Sequence, residues 1–296
     1  NMMKQAQQVQ KRLQDAQKDL ADTEITGESG NGSVSVVCDG HGGDDYVRSA
    51  YGSRFAADAA LDNIKGFVST VNEEELVHNA KKMIATLEAS IISSWNELVY
   101  RHYREHPFTE DELKGVSERA RKKYVYDEKV ESAYGTTVIA VAMTKSYWFG
   151  IHIGDGKCVS ISPDGDFSQP IPWDEKCFLN ATTSICDSNA LQNFRSYFST
   201  SLPSAVFIGS DGIDDCFNSD EQLNNLYKTV LYSFSTTDFQ DAISGLEDYL
   251  PRLSAKGSGD DVSIAAILDM DSIGNIDVVK NYDREKEKAR LEEKAR

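Results

Sequence analysis

The chain has 296 residues, of which 40% are apolar and 27% are charged. This composition is typical of a globular protein with one large core or two modest ones. Its 48 acidic and 31 basic side chains give a formal net charge of −17, which repels nucleic-acid backbones and anionic membranes at long range. We therefore expect neither a nucleic acid nor a membrane as a partner.

The cysteines and the N-terminal segment bear on the cellular compartment. Five cysteines are present, without a CxxC pair or a Cys–His spacing that would indicate a zinc site or a disulfide framework. This pattern favours thiols in a reducing compartment. Residues 1–22 lack the apolar core of a signal peptide, and no run of about 18 apolar residues predicts a membrane helix. We expect a cytoplasmic protein.

The first half of the chain predicts one strand followed by long helices. Residues 23–32 are polar and rich in glycine, which predicts a loop. The β-branched run 33–38 predicts a buried strand that ends abruptly at a glycine turn. Apolar residues at helical spacing predict helices over 46–64 and 73–104, and a shorter charged helix over 110–127. We expect the apolar faces of these helices to cover a sheet.

The second half of the chain is dominated by short apolar runs separated by turn residues. Residues 136–144, 147–153 and 157–161 predict an antiparallel meander. Residues 163–201 carry weak local signals and predict a loop. The remaining predicted elements are a strand at 205–209, helices at 220–233 and 237–253, and a strand at 262–268.

The order of these elements predicts the fold class and the domain organisation. Strands and helices that segregate along the chain favour a layered α+β fold. We expect a single domain over residues 1–270 and a monomer. Residues 271–296 form a charged tail, and its helix-prone end from residue 282 has almost no apolar face. Nothing in this tail identifies a partner.

Four aspartates stand where a predicted strand ends or turns: Asp39, Asp155, Asp211 and Asp260. Aspartate is common in turns, so each of them alone is read as an ordinary turn residue. Three are followed by glycine, which lets the backbone approach a ligand closely. Their carboxylates are the ligands that hard divalent cations prefer. Two interpretations stay open from the residues alone: four turn residues, or the ligands of a two-metal hydrolase.

Five short motifs surround these aspartates in a characteristic order. In this order they resemble the motifs of the metal-dependent serine/threonine protein phosphatases of the protein phosphatase 2C type, over roughly residues 13–268. The resemblance implies a central antiparallel β-sandwich flanked by helices on both faces, in α-β-β-α layers. Segments such as GSRF at 52–55 and TTSIC at 182–186 resemble a bacterial branch of that family. The five motifs are DGHGG at 39–43, YGTT at 134–137, IGDG at 153–156, SDGIDD at 210–215 and GSGDDVS at 257–263.

The resemblance implies a centre with two Mg²⁺ or Mn²⁺ ions. Asp39 matches the carboxylate that bridges both ions, and the Gly40 carbonyl matches a ligand of one of them. Asp211 and Asp260 match the residues that complete the shell of the other ion. Asp15 matches an N-terminal acidic position that holds the second ion through water.

Three further residues receive roles from the same resemblance. Asp155 and Asp215 match the positions that hold a third, weaker ion in many family members. His41 matches the proposed general acid that protonates the departing serine or threonine oxygen, a task that suits a pKa near neutrality. The implied reaction is hydrolysis of phosphoserine and phosphothreonine in proteins by a metal-bound hydroxide.

The sequence departs from the family pattern near its N-terminus. Gln14 stands where the family often has glutamate, and Gln10 stands where an arginine grips the phosphate. Arg12 is the candidate to replace that arginine. Two alternatives therefore remain: a pseudophosphatase or regulatory binding module with little turnover, and a phosphatase of a small phosphate ester.

The resemblance also bears on partners and on substrate access. It implies phosphoprotein substrates, a role in signalling and a cognate serine/threonine kinase. Residues 71–127 and 163–201 flank the motifs, and we expect one of these two segments to form a flap on the substrate side.

Overall fold

The computed structural model describes residues 22–29, 32–177, 181–282 and 290–293. The chain divides into two compact units whose segments alternate along the sequence. Unit 1 comprises residues 1–155 and 171–200, and unit 2 comprises residues 156–170 and 201–296. Each unit has its own sheet and its own hydrophobic core.

Unit 1 is built on a five-stranded sheet in which every strand pair is antiparallel. Its strands are β1 (Asp22–Ser29), β2 (Gly32–Asp39), β3 (Val138–Thr144), β4 (Trp148–Ile153) and β7 (Arg195–Ser199). They lie in the order β1-β2-β3-β4-β7, so β1 and β7 are the edges. The inner strands are almost continuously buried, which is why they appear in the sequence as apolar runs.

Two long helices supply the other half of the core of unit 1. They are α1 (Ser49–Thr70) and α2 (Glu73–Glu105). The Asn72 side chain caps α2 by accepting a hydrogen bond from the Glu75 amide at 2.9 Å. Helix α1 approaches its neighbours closely at Gly52, where a Cβ would lie 1.9 Å from the Tyr134 carbonyl oxygen. The Gly52 carbonyl accepts a hydrogen bond from the Trp95 indole at 3.0 Å.

Short helical turns fill the connections of unit 1. Two of them follow α2 and lead to the YGTT motif, and the third precedes β7. They comprise α3 (Glu118–Arg121) with the π-helix Lys122–Tyr126 that continues it, the 3₁₀ turn Val130–Tyr134, and α4 (Ala190–Asn193).

Unit 2 is built on a four-stranded antiparallel sheet. Its strands are β5 (Lys157–Ile161), β6 (Phe167–Ser168), β8 (Ala205–Gly209) and β9 (Ile264–Leu268), in the order β6-β5-β8-β9. Tyr227 stacks on Phe207 of β8, with ring centroids 4.4 Å apart. The helices of unit 2 are α5 (Asp211–Asp214), α6 (Asp220–Thr236), α7 (Phe239–Lys256) and α8 (Asp277–Lys280), with a 3₁₀ turn at Ile273–Asn275.

The structure confirms the α+β class and the antiparallel sheets, and corrects four local predictions. Residues 23–32 were expected to form a loop, but most of them belong to β1. The expected loop 163–201 contains β6, α4 and β7. Strand β5 pairs with β6 and β8 in the second sheet instead of continuing a meander from β4. The expected helix over 110–127 is reduced to α3 and the π-helix.

The C-terminal part of the chain contributes to the core of unit 2 beyond residue 270. Ile273, Ile276 and Val279 are buried and belong to the cluster around β5 and β8. Residues 283–289 and 294–296 of the predicted tail lie outside the described residues. The division at residue 270 stays a prediction. Among the described residues, no helix is long and apolar enough to span a bilayer.

Candidate functional site

Two threonines clamp the strand end that carries Asp39. The Thr137 amide donates to the Asp39 carbonyl at 2.8 Å, and the Asp39 amide donates to the Thr137 hydroxyl at 3.0 Å. The Thr136 hydroxyl donates to the same carbonyl at 2.8 Å, and Gly40 forms a β-bridge with Thr136. Both backbone polar groups of Asp39 are therefore fixed, which sets the direction of its half-buried side chain. The threonines of the YGTT motif position the DGHGG motif.

Gly135 contacts His41 and helps to position it. The His41 amide donates to the Gly135 carbonyl at 3.1 Å, and the His41 ring packs edge-on against Tyr46 at 4.9 Å between centroids. Burial lowers the pKa of His41 below its ordinary value, and the carboxylates of Asp155 and Asp187 oppose this shift. The turn that precedes Asp155 lies against the YGTT motif, because a Cβ on Gly154 would be 2.5 Å from the Thr137 Cβ.

Several long-range hydrogen bonds hold the turn that carries Asp155. Gly154 has a φ of +117°, a conformation that glycine adopts readily. Its amide donates to the Thr183 hydroxyl at 3.1 Å, and its carbonyl accepts from the Arg195 guanidinium at 2.6 Å. The Thr182 hydroxyl donates to the Asp155 carboxylate. The position of Asp155 thus depends on residues far away in sequence.

Sequence reasoning missed the residues that frame this part of unit 1. Asp174 accepts from the Thr183 hydroxyl at 2.9 Å and lies 3.8 Å from Arg195 Nε. The Ser184 hydroxyl accepts from the Thr136 amide at 3.1 Å. The only signal for these contacts was the TTSIC segment, which stood out for its likeness to a bacterial branch. Arg195 had no signal, because its partners are set by tertiary structure.

In unit 2, Asp211 begins α5 directly after β8. The Ser210 amide donates to the Ser263 carbonyl, and the Ser263 amide donates to the Ser210 hydroxyl, each at 3.1 Å. A Cβ on Gly212 would lie 2.0 Å from the Asp261 carbonyl oxygen. The absence of a side chain at Gly212 therefore lets the SDGIDD turn and the GSGDDVS loop pack directly against each other.

The other acidic residues of unit 2 differ in their surroundings. Asp260 is exposed, and its carboxylate accepts from the Asp261 amide at 2.8 Å. Asp215 is exposed as well, with its amide bonded to the Asp211 carbonyl at 2.8 Å. Asp214 forms an ion pair with Lys157 at 2.6 Å, so its negative charge is compensated within unit 2.

Lys157 bridges Asp214 and Asp220. Its amine lies 2.8 Å from the Asp220 carboxylate. A hydrogen bond from Lys157 lowers the pKa of Asp220. Both carboxylates are thus paired with a cation of the protein itself.

The predicted metal positions fit hard cations in their chemistry. Their donors are carboxylate and carbonyl oxygens, the ligands that Mg²⁺ and Mn²⁺ prefer. In the ranges covered by the structure, no group of three or more histidine, cysteine, aspartate or glutamate side chains is arranged to hold a metal ion. Asp15 and Arg12 lie outside the described residues. The assignment of the metal ligands therefore stays a prediction.

All five cysteines lie in the described part of the chain, and no disulfide bond links them. Four are buried and Cys216 is half-buried. Burial raises the pKa of the Cys158 thiol to about 12 and that of the Cys186 thiol to about 11. These two thiols are therefore poor nucleophiles near neutral pH.

These observations define an α+β protein with antiparallel sheets and aspartates at the strand ends of each unit. A model of the family described as protein phosphatase 2C matches residues 4–250, and the chain belongs to this family.

Solved structures with similar folds include three that cover more than four-fifths of this chain. The serine/threonine phosphatase Stp1 from Staphylococcus aureus is 16% identical, with 82% of this chain and 87% of that chain covered and a TM-score of 0.50. The catalytic domain of the serine/threonine phosphatase PstP, solved with two manganese ions, is 15% identical, with coverages of 83% and 90% and a TM-score of 0.50. A Caenorhabditis elegans sex-determining protein is 16% identical, with coverages of 88% and 64% and a TM-score of 0.51. At these identities the likeness concerns the fold alone.

Proposed function

We propose that this protein hydrolyses phosphoserine and phosphothreonine in other proteins and that it depends on Mg²⁺ or Mn²⁺. The observation that carries the proposal is the family match over residues 4–250, in a chain that has all five motifs and the aspartates of the four that contain one. The presence of two manganese ions in PstP supports the choice of metal. A cytoplasmic location, a signalling role and substrates supplied by a serine/threonine kinase belong to the same proposal.

The proposed metal ligands are Asp39, Gly40, Asp211 and Asp260, with Asp15 acting through water. The hydrogen bonds from Thr136 and Thr137 keep Asp39 in place. A third, weaker ion would be held by Asp155 and Asp215. When bound, such cations neutralise charge on the phosphoryl oxygens and lower the pKa of water.

The protein's own residues perform the remaining steps of the proposed reaction. His41 donates a ring proton to the serine or threonine oxygen as the bond from that oxygen to phosphorus breaks. The oxygen of a water molecule forms the new bond to phosphorus. Arg12 is the proposed residue that grips the phosphate. The hydrogen bond from the His41 amide to Gly135 and the close packing of the His41 ring on this glycine keep the ring in position during the reaction.

The decisive experiment is an initial-rate assay on a phosphothreonine peptide with Mn²⁺, with Mg²⁺ and with a chelator. We compare the wild type with Asp211→Asn and with a matched control, Asp248→Asn, which makes the same change at an exposed position of α7. We expect metal-dependent turnover that falls by about 100-fold or more in Asp211→Asn, because even residues behind the ligands of a metal contribute about 10–100-fold. The control should retain the wild-type rate.

Other outcomes of this assay would redirect the assignment. A parallel assay on small phosphate esters tests the alternative substrate class. Turnover of these esters without turnover of the phosphothreonine peptide would identify a small-molecule phosphatase. Metal-independent turnover, or no turnover with either metal, would contradict the proposal and favour a regulatory binding module.

A further inference from the structure

A basic segment at residues 114–129 contrasts with the acidity of the whole chain. The protein carries 48 acidic and 31 basic residues. In this segment the balance is reversed, because six basic residues stand against three acidic ones. The basic residues are Lys114, Arg119, Arg121, Lys122, Lys123 and Lys129, and the acidic ones are Glu118, Asp127 and Glu128.

The backbone of the basic segment presents its charges and one aromatic ring to solvent. Helix α3 passes directly into the π-helix Lys122–Tyr126, a rare conformation that is frequent at functional sites. Within this turn only Tyr124 is buried, and it anchors the segment in the core of unit 1. Lys122 and Lys123 are exposed, and Tyr126 is 75% exposed. An exposed tyrosine beside lysines offers both an apolar contact and positive charge.

The basic segment is attached to the loop that follows His41. The Ser117 amide and hydroxyl donate to the two carboxylate oxygens of Asp45 at 2.8 and 2.9 Å. The Tyr124 hydroxyl donates to the Asp45 carbonyl at 3.5 Å. Gly115 also lies against Asp44, since a Cβ at this glycine would be 3.5 Å from the Asp44 Cγ. The segment is therefore a fixed neighbour of the DGHGG motif within unit 1.

Most of the positive charge of the basic segment is available to a ligand. Arg121 pairs with Glu110 at 2.9 Å. Among the residues that the structure describes, the other five basic side chains form no ion pair, and all five are exposed. Since the protein as a whole repels anions, an acidic peptide would need a local positive surface in order to dock.

We propose that the basic segment binds acidic residues that flank the phosphorylated serine or threonine of a protein substrate. This inference rests on the proposed function, and it assigns a substrate class to it. Lys122 and Lys123 would pair with Asp or Glu side chains of the peptide, and Tyr126 would pack on its backbone or an apolar side chain. The basic segment overlaps the C-terminal end of residues 71–127, one of the two stretches of which the sequence predicts that one forms a flap on the substrate side.

The test compares two phosphothreonine peptides that differ only in their flanks, one acidic and one with Gln and Asn in the same places. The variant is Lys122→Glu combined with Lys123→Glu. The matched control is Lys81→Glu combined with Lys82→Glu, an exposed lysine pair on α2 in the same unit, about six turns before the C-terminal end of that helix. The measured quantity is the ratio of the two KM values at low salt and at physiological salt.

The wild type and the control should have a KM about tenfold lower for the acidic peptide, as expected for two or three exposed ion pairs. The Lys122 and Lys123 variant should lose this preference. Physiological salt should weaken the preference of the wild type for the acidic peptide relative to low salt, because the Debye length is about 8 Å at physiological ionic strength. Equal KM values for the two peptides in the wild type, or an equal loss of preference in the control, would overturn the proposal.

A second measurement separates this proposal from the proposed function. If the wild type turns over neither peptide, the phosphatase assignment fails. Fluorescence anisotropy of the labelled acidic peptide then still tests docking directly. Binding that weakens about tenfold in the Lys122 and Lys123 variant, and not in the control, supports the basic segment. Equal binding to all three proteins refutes it.

Discussion

The contact between Gly135 and His41 makes Gly135→Ala the most informative single substitution. A Cβ at this position would lie 2.7 Å from His41 Cδ2 and 2.7 Å from two ring carbons of Tyr46. The backbone at Gly135 has a φ of −55° and a ψ of 136°, which alanine adopts without strain. Glycine is therefore required here for space alone, and the substitution tests the packing of His41.

The magnitude follows from these distances. Carbon atoms in contact prefer a separation of about 3.5–4.0 Å, so both rings must move by about 1 Å. Overpacking of this kind costs about 1–3 kcal/mol of stability. A misplacement of about 1 Å in a reacting group can lower the rate about 100-fold. We expect a modest loss of stability together with a loss of kcat between about 10-fold and 100-fold.

The assay measures kcat on a phosphothreonine peptide with Mn²⁺ and the free energy of unfolding in urea. Gly66→Ala is the matched control, because the Cβ that it would add, near the C-terminal end of α1, meets no atom within 4 Å apart from its chain neighbours and the adjacent backbone of its own helix. Alanine at this helical position should leave kcat unchanged and stabilise the protein by about 0.5–1 kcal/mol. If Gly135→Ala has the kcat and the stability of the wild type, close packing on Gly135 does not position the His41 ring.

Three further predictions concern the stability and chemistry of buried groups. Arg48 is 3% exposed and donates hydrogen bonds to both carboxylate oxygens of Glu112 at 2.8 and 3.1 Å. Arg48→Lys keeps the positive charge but loses this bidentate contact, so it should lower the free energy of unfolding in urea by about 3 kcal/mol. A loss below about 1 kcal/mol would contradict this account. Glu88 is 4% exposed, and burial raises its pKa to about 7 from 4.5. The unfolded chain releases this proton first, so stability declines as the pH rises from 4.5 to 7. Glu88→Gln should therefore raise the free energy of unfolding by up to about 3 kcal/mol at pH 8 and little at pH 4. An equal gain at both pH values, or a similar gain in the exposed control Glu97→Gln, would exclude the titration of Glu88 as the cause. Only Cys216 of the five cysteines is not fully buried, so a thiol reagent should label about one thiol quickly in the native protein, and rapid labelling of several would show that the buried positions open readily.

The elements that sequence reasoning predicted well are those whose own residues determine their structure. The two long helices carry a continuous apolar face, and their predicted bounds, 46–64 and 73–104, differ from α1 and α2 mainly at the ends. The three missed strands, β1, β6 and β7, are all edge strands of their sheets. An edge strand has one partner and needs less apolar surface, so its sequence resembles that of a loop.

The candidate site likewise contains residues that the sequence could predict and residues that it could not. The aspartates and His41 could be named from their motifs, because each motif is local in sequence. The groups that hold them could not, since Arg195 reaches Gly154 across 41 residues. The pairing of Lys157 with Asp214 likewise spans 57 residues. Contacts of this length are decided by tertiary structure and leave no local pattern.

The segments of the two units alternate along the sequence, and this order affects folding during synthesis. Of the strands that the structure describes, a nascent chain that has emerged up to residue 200 contains those of unit 1, but only β5 and β6 of unit 2. Strand β5 cannot pair with β8, its second neighbour in the sheet, until the residues from Ala205 onward have emerged. During this interval one edge of β5 stays open, and open edges invite pairing with other chains. Translation rate over residues 162–209 should therefore affect the yield of folded protein more than the rate over either long helix.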